Sequence, residues 1–213
     1  QATEEQKKLL EAISERTDKI RDKKVDPSVD NMLLITNDGK KLALDQRLIS
    51  PVLEDNPNSK VNACINNVFN IWENTKEDKL TQLIFSDLST PSEEFNVYDD
   101  IKKKLIEKGV PEKEIAFIHD AKDNKEKDQI FAKVREGKIR VLLGSTQKMG
   151  AGTNVQNRLI ASHDLDVPWR PADLEQRAGR IIRQGNMNKE VTIYRYVTEG
   201  TFDSYLWQTL ENK

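Results

Sequence analysis

Cysteine, histidine, aromatic residues and long apolar runs are all scarce in this chain of 213 residues. The single cysteine, Cys64, excludes an internal disulfide, and with His119 and His163 as the two histidines there is no zinc ligand set of a recognised kind. No apolar run approaches the length of a membrane span. The opening QATEEQKKLL has no apolar signal-peptide core, so a reducing cytoplasmic setting is expected. Charge of either sign is not in excess: 34 Lys+Arg against 36 Asp+Glu give a net charge of -2, so any polyanion must be met by a local basic cluster. Two catalytic signatures are also missing. There is no GxxxxGK[ST] phosphate loop and no Asp-Glu pair at a strand end to hold magnesium, which rules out a complete nucleotide-hydrolysing site.

What is present reads as a helical and extended lead-in over residues 1–59 followed by an α/β domain over 60–213. Leu9, Leu10, Ile13 and Ile20 form a thin apolar stripe on an otherwise charged helix. Asn37-Asp38-Gly39 lies between two short apolar runs and predicts a turn in a hairpin or irregular extended segment. From Val61 the spacing of Cys64, Ile65, Val68, Phe69 and Trp72 predicts a helix and places Cys64 in the core rather than at a reactive site.

Strand and helix signals then alternate. Strands are expected at 82–85, 115–118, 139–143, 159–162 and 191–197. Helices are expected at 97–108 before Gly109, at 125–136 before Gly137, and at 172–183 after Pro171. Alternation of this kind predicts a mainly parallel sheet covered by helices, with ligands at the carboxyl ends of the strands, on the loops after Phe85, Leu143 and Ser162. His119 and His163 are read as strand-end residues, and Trp169, between Pro168 and Pro171, as a packing residue.

Two stretches carry candidate chemistry. The loop GSTQKMGAGTN combines Gly144, Gly150 and Gly152 with the short polar side chains of Ser145, Thr146 and Asn154. The second stretch, QRAGRIIRQGN, sets Arg180 and Arg183 three residues apart with Gln176 one turn before Arg180. Two forked guanidiniums on one helix face suit a polyphosphate, and the same spacing is equally that of a solvated basic helix face.

Taken in order, STQKMGAGTN and DLEQRAGRIIRQGN resemble motifs V and VI of the C-terminal RecA-like lobe of superfamily 2 helicases, above all the Swi/Snf-like branch. Ser145, Thr146, Gly150, Gly152 and Asn154 fall on the pattern ST-x-x-x-G-x-G-x-N. Gln176, Arg180, Arg183, Gly185 and Asn186 fall on Q-x-x-x-R-x-x-R-x-G-Q, with Asn186 in place of the final Gln. QLIFS, ending at Ser86, looks like motif IV, and DVPWRP resembles that branch's D-x-x-W-N-P, with Arg170 in place of Asn. The tail IYRYVTEGTFDSYLW is similar to the strand, turn and helix that close such lobes.

The resemblance implies a three-layer RecA-like fold and a role as the second lobe of an ATP-dependent DNA helicase or translocase. ATP and Mg2+ would be bound jointly with an N-terminal lobe outside this chain, and the chain alone would be inactive. It implies Arg183 as arginine finger, Arg180 as its partner and Gln176 as the residue orienting that end of the motif. Gly150, Gly152 and Asn154 would lie near the nucleotide, and Thr146, Ser145, Ser86 and Lys148 on the backbone of the nucleic acid. A large bacterial or phage mobile-element protein with a DNA methyltransferase domain is the expected parent. The competing expectation is a degenerate lobe kept as a protein-interaction module.

Overall fold

The computed structural model describes residues 2–149 and 154–211. These form two compact units, one running from Val61 to Tyr196 and the other joining the residues up to Lys60 with those from Val197 onward. Among the described residues no helix is long and apolar enough to cross a membrane.

In the unit up to Lys60 and from Val197, α1 (Glu4–Arg21) starts on a capping box between Thr3 and Gln6. It lies along α2 (Met32–Leu44), to which Gln6 donates a hydrogen bond at the carbonyl of Leu42, 3.1 Å away. Arg16 on α1 adds ion pairs to Asp30 and Asp38, both at 2.7 Å. The helix α2 corrects the expected hairpin. Asn31 caps it by accepting from the amides of Leu33 and Leu34, and Ile35, Leu42, Ala43 and Leu44 become its buried face. Gly39, read as a turn residue, sits inside that helix, with Phe202 of α8 (Phe202–Glu211) at ordinary van der Waals distance, 3.6 Å from where a Cβ would be. Lys60 and Asp203 close this unit with a buried ion pair of 2.6 Å, and Asp203 also accepts from the amide of Thr198.

The unit from Val61 carries a five-stranded sheet in the order β2-β3-β1-β4-β5, parallel throughout. The strands are β1 (Thr81–Phe85), β2 (Ile115–Phe117), β3 (Val141–Gly144), β4 (Leu159–Asp164) and β5 (Thr192–Arg195). They are linked through α4 (Val97–Lys108), α5 (Asn124–Arg135), α6 (Thr146–Met149) and α7 (Pro171–Ile181), while α3 (Lys60–Asn74) precedes β1. This is the predicted α/β, RecA-like architecture. Both sheet faces are covered, so the central strands are buried at successive positions rather than alternately. Leu83 and Phe85 of β1 join Leu142, Phe131, Val134 and Ile181 in one core. Gln82, alternate to them, reaches the opposite layer and donates to the carbonyl of Val68 on α3 at 2.9 Å. Cys64 is buried on α3 as expected, and burial pushes its thiol up to about 12, which leaves it inert.

β4 runs two residues past its expected end, so His163 is a strand-interior residue rather than a strand-end one. Its ring nitrogens meet the Tyr196 hydroxyl and Gln82 Oε1, both at 2.8 Å, and burial lowers its pKa to about 3. A histidine held neutral stabilises the fold fully above its unfolded pKa of about 6.5 and loses that contribution as pH falls toward 3. Its neighbour Asp164, pushed up to about 6 chiefly by burial, acts in the opposite sense, losing its contribution as pH rises through that value. The two largely offset each other between about pH 6 and 4. A His163→Gln variant keeps the Asp164 effect alone. Its stability relative to the parent is therefore expected to rise by up to about 1.4 kcal/mol per pH unit below 6.5. Urea unfolding of both proteins from pH 7 to 4 checks this, and parallel profiles would refute it.

Candidate functional site

The register brings the carboxyl ends of the strands into line. Phe85 pairs with Gly144 on one side and Asp164 on the other, and Phe117 pairs with Leu143 beyond. The residues just past these ends, Asp87, His119, Ser145 and Asp166, therefore fall along one edge of the sheet. Gly144 is required at that edge, since a Cβ there would stand 2.8 Å from Ile118 and 3.1 Å from Met149.

The centre of the edge is Arg177, on α7 and fully buried. Its guanidinium donates to Thr146 Oγ1 at 2.8 Å, Asp87 Oδ2 and Asp166 Oδ1 at 2.9 Å each, the carbonyl of Asp166 at 3.0 Å, and Asp164 Oδ1 at 3.4 Å. Asp166 Oδ2 accepts from the amides of Asp87 and Leu88, and Asp87 accepts from the amide and hydroxyl of Thr146. The loops after β1, β3 and β4 are thus tied to α7 through one side chain. Burial opposes the charge on Arg177, but the carboxylates of Asp166, Asp87 and Asp164 outweigh it and hold the group protonated. Asp164 has the longest contact, and burial first, with a smaller push from Asp166, holds its pKa up against the lowering effect of Arg177. Sequence reasoning passed over Arg177. The signal was the row of aspartates after two apolar strands, which a buried domain can hold only against a cation.

Above this hub lies a cleft of about 820 Å³ lined by Asp87, Thr90, His119, Ser145, Thr146, Gln147, Lys148, Arg170, Asp173 and Gln176. It brings together four of the predicted residues. Ser145 and Thr146 are buried in its wall, with the Thr146 hydroxyl engaged by Arg177 and Asp87, while Lys148 is exposed and Gln176 half-buried. Ser86 is buried beside Asp87 and donates to the carbonyl of Leu88 at 2.8 Å, so its hydroxyl is spent inside the loop. His119 follows β2 in a short turn, edge-on to Tyr98, with its pKa lowered by burial and then by Lys148. Trp169 is 51% exposed.

Arg180 lies one turn beyond Gln176 and is 3% exposed. Its pKa is lowered by burial and then by the charge of Arg183, and Lys127 on α5 is lowered by burial and then by Arg180. Arg180 thus lies within electrostatic reach of both Arg183 and Lys127. The helix itself stops at Ile181. Ile182 leaves helical geometry at φ -92 ψ 66, and the Gly185 turn that follows is held by Gln156 donating to the Gln184 carbonyl and Asn186 donating to the Leu159 carbonyl. Arg183 consequently stands exposed beyond α7, not on the shared helix face its spacing suggested. Asn154 is exposed, its carbonyl accepting from Arg135 at 2.7 Å, whereas Gly150 and Gly152 lie outside the described residues.

Residues 59–185 match the helicase conserved C-terminal domain. The chain belongs to that family. Among curated relatives, this helicase C-terminal domain is 33% identical over 86 residues to Defense against restriction protein B of Escherichia phage P1, covering 40% of this chain and 4% of that protein. It is 40% identical over 79 residues to the uncharacterized ATP-dependent helicase YqhH of Bacillus subtilis, covering 36% of this chain and 13% of that protein. The helicase domain described here therefore spans a small part of each. Among solved structures, the C-terminal part of the Fun30 ATPase domain superposes with a TM-score of 0.58 at 21% identity over 79% of this chain and 51% of that one. The DUF1998 helicase MrfA bound to DNA superposes at 0.50 and 19% identity over 70% of this chain and 20% of that one. Both show the shared fold.

Proposed function

We propose that this helicase C-terminal domain is the second motor lobe of an ATP-dependent DNA helicase or translocase of the Swi/Snf-like branch. It would work in one polypeptide with a first RecA-like lobe that holds the phosphate loop. What carries the reading is the match of residues 59–185 to the helicase conserved C-terminal domain, together with the basic cluster that its motif stretch forms at the end of α7, where Arg180 is nearly buried and Arg183 exposed. The phosphates of ATP are the natural occupant of such a cluster in this family. Arg183, exposed beyond the helix, is the arginine finger; Arg180 is its partner, and Gln176 orients the cleft side of the same turn. Asn154 would lie toward the ribose, and the resemblance assigns Gly150 and Gly152 to the same loop function.

Magnesium would accompany the nucleotide, but its carboxylate ligands fit the absent lobe rather than this one. Asp87, Asp164 and Asp166 are all committed to Arg177. The cleft beside α7 takes the DNA backbone. Lys148 and Arg170 supply charge there, Ser145 and Thr146 form the wall that sets its shape, and Ser86 acts only by holding the adjoining loop. Contacts of this kind bind without reading sequence. Likeness to a phage protein and to a chain many times longer supports a large mobile-element parent, to which a DNA methyltransferase domain would belong.

The test is reconstitution. The chain alone is expected to hydrolyse no ATP, and the parent containing both lobes to hydrolyse it with stimulation by DNA of unrelated sequences. DNA binding by the parent should fall steeply with added salt, with a log-log slope of about -0.9 per phosphate contacted on duplex. Tight binding of one short sequence with a shallow salt dependence would contradict the reading.

A further inference from the structure

At the opposite end of the sheet, where the strands begin, is a second cleft of about 520 Å³ that the motor reading does not use. Its lining comes from the end of α3, the entries to β1, β2 and β3, and α5. Five lysines and Arg140 face a single carboxylate there, that of Glu114. Glu114 is already engaged, accepting from the Trp72 indole N–H at 2.7 Å. Of the lysines, Lys76 pairs with Glu73 and Lys138 with Glu136, which leaves Lys79, Lys113 and Lys133 with no ion pair among the described residues.

The floor of the cleft is Arg140, 3% exposed. It donates to the carbonyls of Leu80 and Trp72 and to the Thr75 hydroxyl, at 2.8 to 2.9 Å, and forms no ion pair among the described residues. Burial lowers its pKa, and the charges of Glu114 and Glu73, neither of them in contact with it, offset that only in part. The backbone is shaped to the same end. Lys79 takes a positive φ of 51°, and Gly137 beside it must lack a side chain, since a Cβ would stand 2.8 Å from Lys79 Cβ. Strain of this kind at a lysine persists where the surroundings enforce it.

We infer that this cleft is a second phosphate-binding site, in which Arg140, Lys79, Lys113 and Lys133 hold the backbone of a nucleic-acid strand. Two features favour a phosphate chain bound through its backbone. The cations come from separate segments along an open edge, which suits successive phosphates rather than one small anion. Trp72 is not available to stack on a base, because Arg140 lies over its ring at 5.4 Å and Phe69 stacks against it at 5.9 Å. The site therefore reads charge and not sequence. The occupant rests on the motor reading above, which makes nucleic acid the polyanion at hand; the basic cleft itself does not.

Amine-acylation footprinting of the full chain tests the inference, with single-stranded DNA, duplex DNA or inorganic triphosphate as the added anion. DNA is expected to slow labelling of Lys79, Lys113 and Lys133 at least threefold, and to do so equally in a Lys148→Glu variant of the motif cleft. A Lys113→Glu/Lys133→Glu variant, altered at two exposed positions, is expected to bind DNA at least fivefold more weakly. Its log-log salt slope should be smaller by about 1 to 2. Protection of Lys148 alone would overturn this inference and leave the motor reading standing, while DNA that protects none of these lysines would overturn both. Protection by triphosphate but not by DNA would overturn the nucleic-acid occupant, and unchanged affinity and slope in the double variant would overturn the site.

Discussion

An Arg177→Ala variant is expected to unfold about 3–5 kcal/mol more easily than the parent, the cost of removing one partner from a buried charge network. Asp87, Asp164 and Asp166 would be left facing one another where a guanidinium had bonded all three. Thr146 would lose the donor to its hydroxyl as well. Arg177→Lys keeps the charge, yet a single ammonium cannot span the acceptors that a planar fork reaches, so it too should fall well below the parent. Urea denaturation at neutral pH reads the effect directly. A variant unfolding at the parent's midpoint would mean that the network is incidental to the fold. Because the same side chain ties three loops to α7, the damage should extend to the cleft those loops line.

The Arg183→Ala substitution should leave folding intact, since the residue is exposed beyond α7, and act on chemistry. In the two-lobed parent it is expected to lower ATP turnover by about 10³ to 10⁵, equivalent to roughly 4–7 kcal/mol of barrier. A group that meets charge developing in the transition state changes kcat more than nucleotide affinity. Nucleotide binding measured by titration should therefore change far less than turnover. Arg180→Ala is expected to reduce turnover as well, with some loss of stability because that side chain is nearly buried. Equal losses in binding and turnover for Arg183→Ala would argue for a simple binding contact instead of a finger.

The parts of this architecture legible from sequence are those where local signals and burial agree. In α4, Val97, Tyr98, Ile101 and Leu105 are buried and Gly109 closes the helix at a φ of 112°, so periodicity and cap gave the same bounds. The central strands read clearly because both faces are covered. The segment 32–44 was misread for the opposite reason. Asn-Asp-Gly is a strong local turn signal, overridden by the Asn31 cap and by the burial of Ile35, Leu42, Ala43 and Leu44 on one helix face. At the site, the motif arginines and the Thr146 loop were visible as patterns. Arg177 was not, because its role depends on three aspartates separated from it in sequence and brought together by strand register. Arg183 shows the limit of spacing alone: residues three apart share a helix face only where the helix continues, and α7 ends first.

The most direct test of the account is steady-state ATP turnover of the full-length parent, with and without DNA, beside an Arg180→Ala/Arg183→Ala variant and the isolated chain. The account predicts DNA-stimulated turnover in the parent that is lost in the variant and absent from the chain alone. Turnover in the variant equal to that of the parent, with the same response to DNA, would contradict it and leave the lobe as a scaffold for protein contacts.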